Sequence, residues 1–479
     1  MIAQRLSARR LHQLLGEWRG DGHSYRELSE SIALLVRDGG VPAGTVLPAE
    51  RPLAEELAVS RTTVSAGYEH LRDTGIAVSR RGSGTVIRAP RRGDAADWRT
   101  AAEGELDLSR ASPLPWEGMP ALAQRALTEH ADAFRLDGYD TIGHPALRLL
   151  IAERYAQRGL PTAPEQIMVT LGAQHAIHLI ARTLLRRGDR SLIESPSYPH
   201  AREALADAGA LVAELPVSVT GYDAASILDI ARHTSPRLSY LIPDHHNPTG
   251  MSMPSDLRER LIATLAGQGG FIIADETTAE LVLGGPRPVV PFAAFAARDE
   301  QRDQILTVGS LGKTLWGGLR VGWIRARADL IDQLESARRV GDLGTGTWEQ
   351  VLASVALEQY DEILAVRSRE LTAGHAALSG AVASYLPRWR LSPAAGGVSV
   401  WADLGEASST RLSRECARLG LRLPPGPRFG SPGVFERFVR LPFTAPPSEL
   451  IRAVAILREA WDGREQAKMG QALSREAVI

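Results

Sequence analysis

Gly309-Ser310-Leu311-Gly312-Lys313-Thr314 holds one of only two lysines in a chain of 479 residues whose 55 basic residues are otherwise all arginine. A guanidinium stays protonated in proteins, whereas a desolvated lysine loses its proton and its neutral amine attacks carbonyls. A chain biased this strongly toward arginine keeps lysine where amine chemistry is required. The second lysine, Lys468, stands near the chain end and reads as a solvated tail residue. Lys313 has Ser310 three positions before it and Arg320 seven after it. That places a hydroxyl and a guanidinium, both good phosphate ligands, around an amine suited to an aldehyde.

Outward from this stretch, apolar strand-like runs alternate with amphipathic helical segments. Ile167-Met168-Val169-Thr170 precedes a helix over 173–185, followed by Ser191-Leu192-Ile193-Glu194. Leu238-Ser239-Tyr240-Leu241-Ile242, a helix over 255–266, Phe271-Ile272-Ile273-Ala274 and Ile305-Leu306-Thr307-Val308 continue the pattern. Such alternation predicts an α/β domain with a mostly parallel sheet. Long helical segments over 326–378 lead to short strands at 397–401 and 438–441, which predict a smaller α+β subdomain.

Three further segments acquire meaning beside Lys313. Thr170-Leu171-Gly172-Ala173-Gln174 ends a strand and opens a helix, where free N–H groups and the helix dipole favour a phosphate. Asn247, in His246-Asn247-Pro248-Thr249-Gly250, offers a hydrogen bond to a phenolate oxygen. Asp275 ends a strand, where α/β sheets bind ligands, and a buried carboxylate there holds a pyridine nitrogen protonated. Each segment alone is also an ordinary turn or cap. Their order and separation agree jointly on a phosphorylated aromatic aldehyde. His175 and His178 stand one helical turn apart, but no Glu-x-x-His or cysteine pattern accompanies them with His245 or His246, so no metal is expected.

The front of the chain predicts a different module. A helix over 25–38 precedes Pro48-Ala49-Glu50-Arg51-Pro52-Leu53-Ala54-Glu55-Glu56-Leu57, a short helix with proline in its first turn. Ser60 is placed to N-cap a helix over 61–74. Two short strands, 76–79 and 85–87, are joined through Arg80-Arg81-Gly82-Ser83-Gly84. This pattern predicts a winged helix-turn-helix, with Arg61, Thr62 and Thr63 facing a major groove, Arg51 on the phosphate backbone and the Arg81-Gly82 wing tip near a minor groove. Residues 1–92 carry 14 arginines against 10 acidic residues, although the whole chain has a net charge of −1.

Residues 47–75 together with Arg80-Arg81-Gly82-Ser83-Gly84-Thr85 resemble the DNA-binding domain of the GntR family of bacterial regulators. That resemblance implies DNA contacts at Arg51, Arg61, Thr62 and Gly82, with Ala49 standing where the family usually has serine. The rest of the chain, from Tyr139 in GYDTIGHPALR through SPSYPHAR, PDHHNPTG and IIADE to GSLGKTLWGGLRVGW and FVRLPF, resembles fold-type I enzymes of the aspartate aminotransferase type, which bind pyridoxal 5′-phosphate. The resemblance implies a Schiff base on Lys313, Asp275 on the pyridinium nitrogen, Asn247 on the 3′-oxygen and Tyr198 stacked on the ring. It places Gly172, Ala173, Gln174, Ser310 and Arg320 around the phosphate and Arg440 on a substrate or effector carboxylate. The two modules in this order resemble the MocR subfamily of regulators. Two positions depart from the enzyme pattern: Thr277 replaces a tyrosine that would reach the 3′-oxygen, and Gly312 replaces the serine before the lysine.

The expected organisation is a reader over 1–88, a linker over 89–105, an aminotransferase-like domain over 106–465, and a tail over 466–479. Within the domain, the large part covers about 140–335 and the small part about 340–465. One cysteine, Cys416, excludes an intrachain disulfide, and no run of apolar residues is long enough to span a membrane. The expected protein is cytoplasmic and homodimeric, with double-stranded operator DNA, pyridoxal phosphate and an amino acid or amine effector as partners. Three functions remain open at this point: a regulator that senses cofactor or effector, an active aminotransferase with a DNA-binding appendage, and a DNA-binding protein whose rear domain is a cofactor-free dimerisation scaffold.

Overall fold

The computed structural model describes residues 5–16, 18–19, 24–37, 40–80, 84–88, 105–135, 137–431 and 433–476. Its N-terminal unit comprises helices α1 (Ala8–Leu15), α2 (Ser24–Arg37), α3 (Glu50–Glu56) and α4 (Arg61–Asp73), then strands β1 (Ala77–Arg80) and β2 (Gly84–Ile87), paired antiparallel. Ser60 Oγ accepts the Thr63 amide hydrogen bond at 3.0 Å and starts α4 where a cap was expected. Gly75, at φ +73°, ends α4 in the left-handed conformation that glycine adopts without strain. Leu28, Ile32, Leu53, Val64, Tyr68, Leu71 and Ile87 form one buried cluster beneath these elements. The wing tip with Arg81 and Gly82, and linker residues 89–104, lie outside the described residues.

After β3 (Leu106–Asp107), the large part is organised by seven strands: β4 (Ile167–Thr170), β5 (Arg190–Ser195), β6 (Leu211–Pro216), β7 (Leu238–Leu241), β8 (Phe271–Asp275), β9 (Ile305–Ser310) and β10 (Gly322–Arg325). Their spatial order is β4-β10-β9-β8-β7-β5-β6. All neighbouring pairs are parallel except those of β10, which runs antiparallel to both β4 and β9. Successive residues alternate between two cores: Ile167, Leu192, Ile272 and Ile305 enter one, while Met168, Ile193, Ile273 and Leu306 enter the other. Burial on both faces explains why these strands are continuously apolar.

β10 is a strand the sequence reading did not single out, and it positions the site. Gly322 pairs with Thr170 on one side and Ser310 on the other, drawing the ends of β4 and β9 toward one place. A Cβ at Gly322 would stand 2.7 Å from the Gly172 carbonyl carbon, so this close approach requires glycine.

The smaller part contains β11 (Arg390–Leu391), β12 (Ser399–Asp403) and β14 (Phe438–Pro442) in one sheet, while β13 (Leu421–Arg422) pairs with β3. The final helix runs Pro447–Glu476, so the segment expected as a tail continues as helix through Glu476.

Arg338 ties the large part together from a fully buried position. It donates to the carbonyls of Thr141 at 2.9 Å and Val169 at 2.6 Å, and its Nε pairs with Asp342 at 2.6 Å. Arg338→Ala should cost about 3–5 kcal/mol through the partners left unpaired. Arg338→Lys should rescue little, because one ammonium cannot reproduce the fork. Urea-unfolding midpoints check both; a midpoint unchanged in the alanine variant refutes the assignment.

Candidate functional site

Lys313 sits in the turn that follows β9. Ser310 Oγ accepts from the Gly312 amide at 3.0 Å and donates to the Val321 carbonyl at 3.1 Å, closing the turn against the start of β10. A Cβ at Gly312 would lie 3.2 Å from that hydroxyl, so glycine lets the turn tighten where a serine was expected. Lys313 Nζ donates to the Ala111 carbonyl at 2.7 Å. Its amine is pushed down to about 8, chiefly by burial and then by the positive charge of Arg440, with Asp275 opposing.

Asp275 ends β8, buried. Tyr240, on neighbouring β7, donates its hydroxyl hydrogen to Asp275 Oδ2 at 2.6 Å, and the Thr277 amide donates to Oδ1 at 3.0 Å. Burial raises the carboxyl pKa while these hydrogen bonds and Lys313 oppose the shift. Thr277 thus holds Asp275 through both its amide and its side chain.

Arg440, on β14, enters from the smaller part. It is buried, with its guanidinium 5.0 Å from the Phe429 ring centroid. One terminal nitrogen lies 3.4 Å from Asn247 Oδ1, the other donates to the Ser109 carbonyl, and buried Nε has no hydrogen-bond partner. Among the described residues no carboxylate contacts it directly, and burial pushes it down to about 10 with Tyr198 and Asp107 opposing. Tyr198 occupies the N-cap of the Pro199–Asp207 helix, its hydroxyl 3.0 Å from His200 Nδ1. Its phenol is raised to about 12 by burial and by Asp275, with Arg440 and Arg320 opposing.

On the other side, the Ala173–Leu184 helix begins after Gly172, at φ +87° and with no side-chain cap. Arg320 donates to the Leu171 carbonyl at 2.7 Å, and a Cβ on Gly172 would meet its Nη2 at 3.0 Å. Gln174 Nε2 donates to the His200 carbonyl at 3.2 Å while its Oε1 is buried without a partner. An uncapped helix start, an adjacent guanidinium and a glycine cradle fit a phosphate. Lys313, Asp275 and the unsatisfied Arg440 fit an aldehyde, a ring cation and a carboxylate. Gly172, Ala173, Gln174, Tyr198, Asn247, Asp275, Ser310 and Lys313 thus stand at or after the carboxyl ends of strands of the large sheet, Arg320 stands just before β10 and Arg440 comes from the smaller sheet; their chemistry fits pyridoxal phosphate.

The sequence reading missed three contributors. Tyr240 read only as a strand residue; its position one strand away from Asp275 is visible only with the sheet order. Buried Glu194 accepts from the Ile242 amide at 2.6 Å and lies 3.5 Å from buried His246 Nε2, joining the loops that carry Tyr198 and Asn247. Burial raises Glu194 to about 8 and lowers His246 to about 3, so each is pushed toward its neutral form. Segment 109–112 contributes main-chain carbonyls, which have no side-chain signature. His175 faces Asp342 at 3.1 Å and His178 faces Asp207 at 3.6 Å.

On the reader, Arg61 is 74% exposed and lies 3.3 Å from Glu50, while Arg51 is 83% exposed and lies 3.0 Å from Glu55. Such exposed pairs are weak and readily exchanged for phosphates. Thr62 is exposed, and the Thr63 hydroxyl lies 2.8 Å from Ser60 Oγ, partly engaged in the cap. Ala49 occupies the N-cap of α3 without a side-chain hydrogen bond.

Comparison with known proteins agrees with both halves. Residues 103–457 match the model for aminotransferase class I and II, and residues 24–87 match that for bacterial regulatory proteins of the gntR family. The chain is 31% identical over 368 residues to the probable rhizopine catabolism regulatory protein MocR of Rhizobium meliloti, covering 70% of this chain and 71% of that one. It is 27% identical to the pyridoxine biosynthesis transcriptional regulator PdxR of Corynebacterium glutamicum, covering 78% and 81%. Among solved structures, the α-aminoadipate aminotransferase LysN of Thermus thermophilus, complexed with N-(5′-phosphopyridoxyl)-L-leucine, aligns with a TM-score of 0.69 at 27% identity, covering 77% of this chain and 95% of that one. Relatives of this fold depend on pyridoxal phosphate. The chain belongs to the aminotransferase class I and II family, in the MocR-type arrangement that places a gntR-family DNA-binding domain in front of it.

Proposed function

We propose that this chain is a DNA-binding transcriptional regulator whose rear domain holds pyridoxal phosphate on Lys313 and responds to an amino compound bearing a carboxylate. The observation that carries this reading is a buried lysine of depressed pKa between Asp275 and an Arg440 that no carboxylate contacts directly among the described residues, in one chain with a capped recognition helix. Bound cofactor supplies an aldehyde conjugated to a ring that acts as an electron sink.

The protein's residues do the remainder. Lys313 would hold the cofactor through its neutral Nζ, and Asp275, oriented by Tyr240 and the Thr277 amide, would keep a proton on the ring nitrogen. Tyr198 would lie against the ring. Gly172, Ala173, Gln174, Ser310 and Arg320 would hold the phosphate, and Asn247 would orient the 3′-oxygen. Arg440 takes the effector carboxylate. Arg51, Arg61, Thr62 and Thr63 bind operator DNA, together with Arg81 and Gly82 of the wing. Thr277 and Gly312 remove two hydroxyls that tune the cofactor in the catalytic pattern, which favours sensing over turnover.

Homodimerisation completes the proposal. Tyr139, Val340 and Leu343 are 73%, 76% and 54% exposed on neighbouring loops, joined where Gly344 packs against the Asp140 carbonyl. Exposed apolar residues gathered in this way suit a subunit interface. Two readers in one particle would bind a repeated or palindromic operator in the cytoplasm, and no helix among the described residues is long and apolar enough to cross a membrane.

Incubation with pyridoxal phosphate should produce a visible absorption band in the native chain and none in Lys313→Ala. Because the free amine must be neutral, initial capture should rise about tenfold per pH unit below about 8 and level off above it. No band in the native chain sinks the cofactor reading, and sustained keto-acid formation over many equivalents sinks the regulator-only reading. Arg61→Ala should weaken binding to DNA selected from a random pool by about 1–3 kcal/mol, and Arg51→Ala should reduce the salt slope by about 1. Unchanged affinity and slope, measured by anisotropy, refute those contacts. Val340→Glu combined with Leu343→Glu should convert dimer to monomer in sedimentation velocity; a dimer that persists removes this surface from the interface.

A further inference from the structure

Segment 105–112 crosses the cofactor site immediately after the linker. Its Ala111 carbonyl accepts from Lys313 Nζ and its Ser109 carbonyl from Arg440, the two groups that cofactor and carboxylate would claim. Neither carbonyl neutralises the cation it touches. A carboxylate is the stronger partner for a buried guanidinium, because its bonds are charge-assisted and bidentate, and Arg440 Nε has none at present.

The same segment is anchored away from the site. The Leu106 amide donates to the Gly420 carbonyl at 3.0 Å, the Leu108 amide to the Arg422 carbonyl at 2.8 Å, and Arg422 pairs with Glu105 at 3.0 Å. Gly420 and Arg422 directly follow the Ser409–Arg418 helix, on which the reader is docked. Arg414 of that helix, only 4% exposed, donates to the Trp18 carbonyl at 2.6 Å and to Ser31 Oγ at 3.3 Å. Its remaining nitrogens lie 3.8 Å from Glu27 and 3.9 Å from Glu30, too far for hydrogen bonds, while Arg418 holds Glu30 at 2.6 Å. With Glu27, Glu30 and Glu415 all 3.8–3.9 Å away and two of its nitrogens lacking a hydrogen bond, this buried guanidinium is incompletely satisfied, and opening the contact would return its hydration. The reader helix engaged here is α2, which packs on the recognition helix α4.

We propose that 105–112 is a displaceable strap. Its Ala111 carbonyl holds Lys313 until the cofactor aldehyde claims that amine, its Ser109 carbonyl holds Arg440 until the carboxylate of an amino compound takes it, and its release reaches the reader through the Ser409–Arg418 helix and the Arg414 contact. The inference rests on the cofactor reading above and deepens it by naming the coupling between ligand and reader.

The test uses the full chain with N-(5′-phosphopyridoxyl)-L-leucine and with its decarboxylated counterpart, whose binding is measured by calorimetry, followed by hydrogen exchange. The carboxylate conjugate should speed amide exchange about tenfold across 105–112 and across α2, whereas the decarboxylated conjugate should change neither. In Arg414→Met the response of 105–112 should persist and the response of α2 should vanish. Asp107→Ala is an independent variant, because Asp107 Oδ1 accepts from the Ser109 amide at 2.8 Å and fixes the strap's turn. Asp107 also acts on the Arg440 charge directly, so the readout for this variant is exchange and not affinity: 105–112 should exchange faster without ligand. Binding that leaves 105–112 unchanged in the native chain, equal responses to both conjugates, an α2 response that survives Arg414→Met, or native-like exchange of 105–112 in ligand-free Asp107→Ala each overturns the strap while leaving the cofactor reading intact. No binding of either conjugate to any variant overturns both.

Discussion

Two buried cations, Lys313 and Arg440, repel each other in one desolvated space, where Asp275 acts on the lysine and Asp107 on the arginine without either forming a direct ion pair, and much of the architecture follows from that imbalance. Asp275 already accepts from Tyr240 and the Thr277 amide, so it supplies only part of the compensation. A lysine can relieve the excess by releasing its proton, and its pKa falls accordingly. An arginine cannot, so Arg440 remains charged and retains an unmet demand for an anion. The site is thus biased before any ligand arrives toward a neutral amine beside a fixed cation. That combination suits an aldehyde together with a carboxylate.

The strand pattern was legible because both faces of the sheet are buried, and a run such as Phe271-Ile272-Ile273-Ala274 has no other common solution in an α/β domain. The reader was legible through local rules, chiefly the Ser60 cap and the glycine after α4. β10 escaped notice because four residues after a glycine-rich loop carry little periodic signal, yet its pairing with both Thr170 and Ser310 brings the phosphate-side residues together. Tyr240, the Ser109 and Ala111 carbonyls and the docking of Arg414 were illegible for another reason. Each depends on which segments become neighbours across the fold, and a main-chain carbonyl has no residue-type signature.

The arginine bias also acquires a structural meaning. Arg338 reaches the carbonyls of Thr141 and Val169; Arg367 reaches those of Leu114, Thr314 and Leu315; Arg258 reaches those of Pro243 and Met253 while pairing with Asp244. Each planar fork satisfies several buried acceptors while keeping its charge, which an ammonium on a flexible stem does less well. Arginine therefore works as a permanent crosslink within the domain, and lysine survives at 313 because its amine must be able to lose the charge that arginine keeps.

Sensing and turnover make different demands on such a site. A catalyst must stabilise charge that develops during reaction, which calls for hydroxyls and phenols placed around the reacting atoms. A sensor needs only a difference in ligand affinity between two arrangements of the protein. Here the phenol position is Thr277, whose amide helps hold Asp275, and Gly312 lets the lysine turn close against Ser310. What the chain keeps is the lysine, Asp275 and Arg440 of the enzyme pattern, and the 105–112 segment that touches Lys313 and Arg440 leads back to the DNA-binding domain. A transaminase gains nothing from connecting its carboxylate-binding arginine to a reader of DNA, whereas for a regulator that connection is the function.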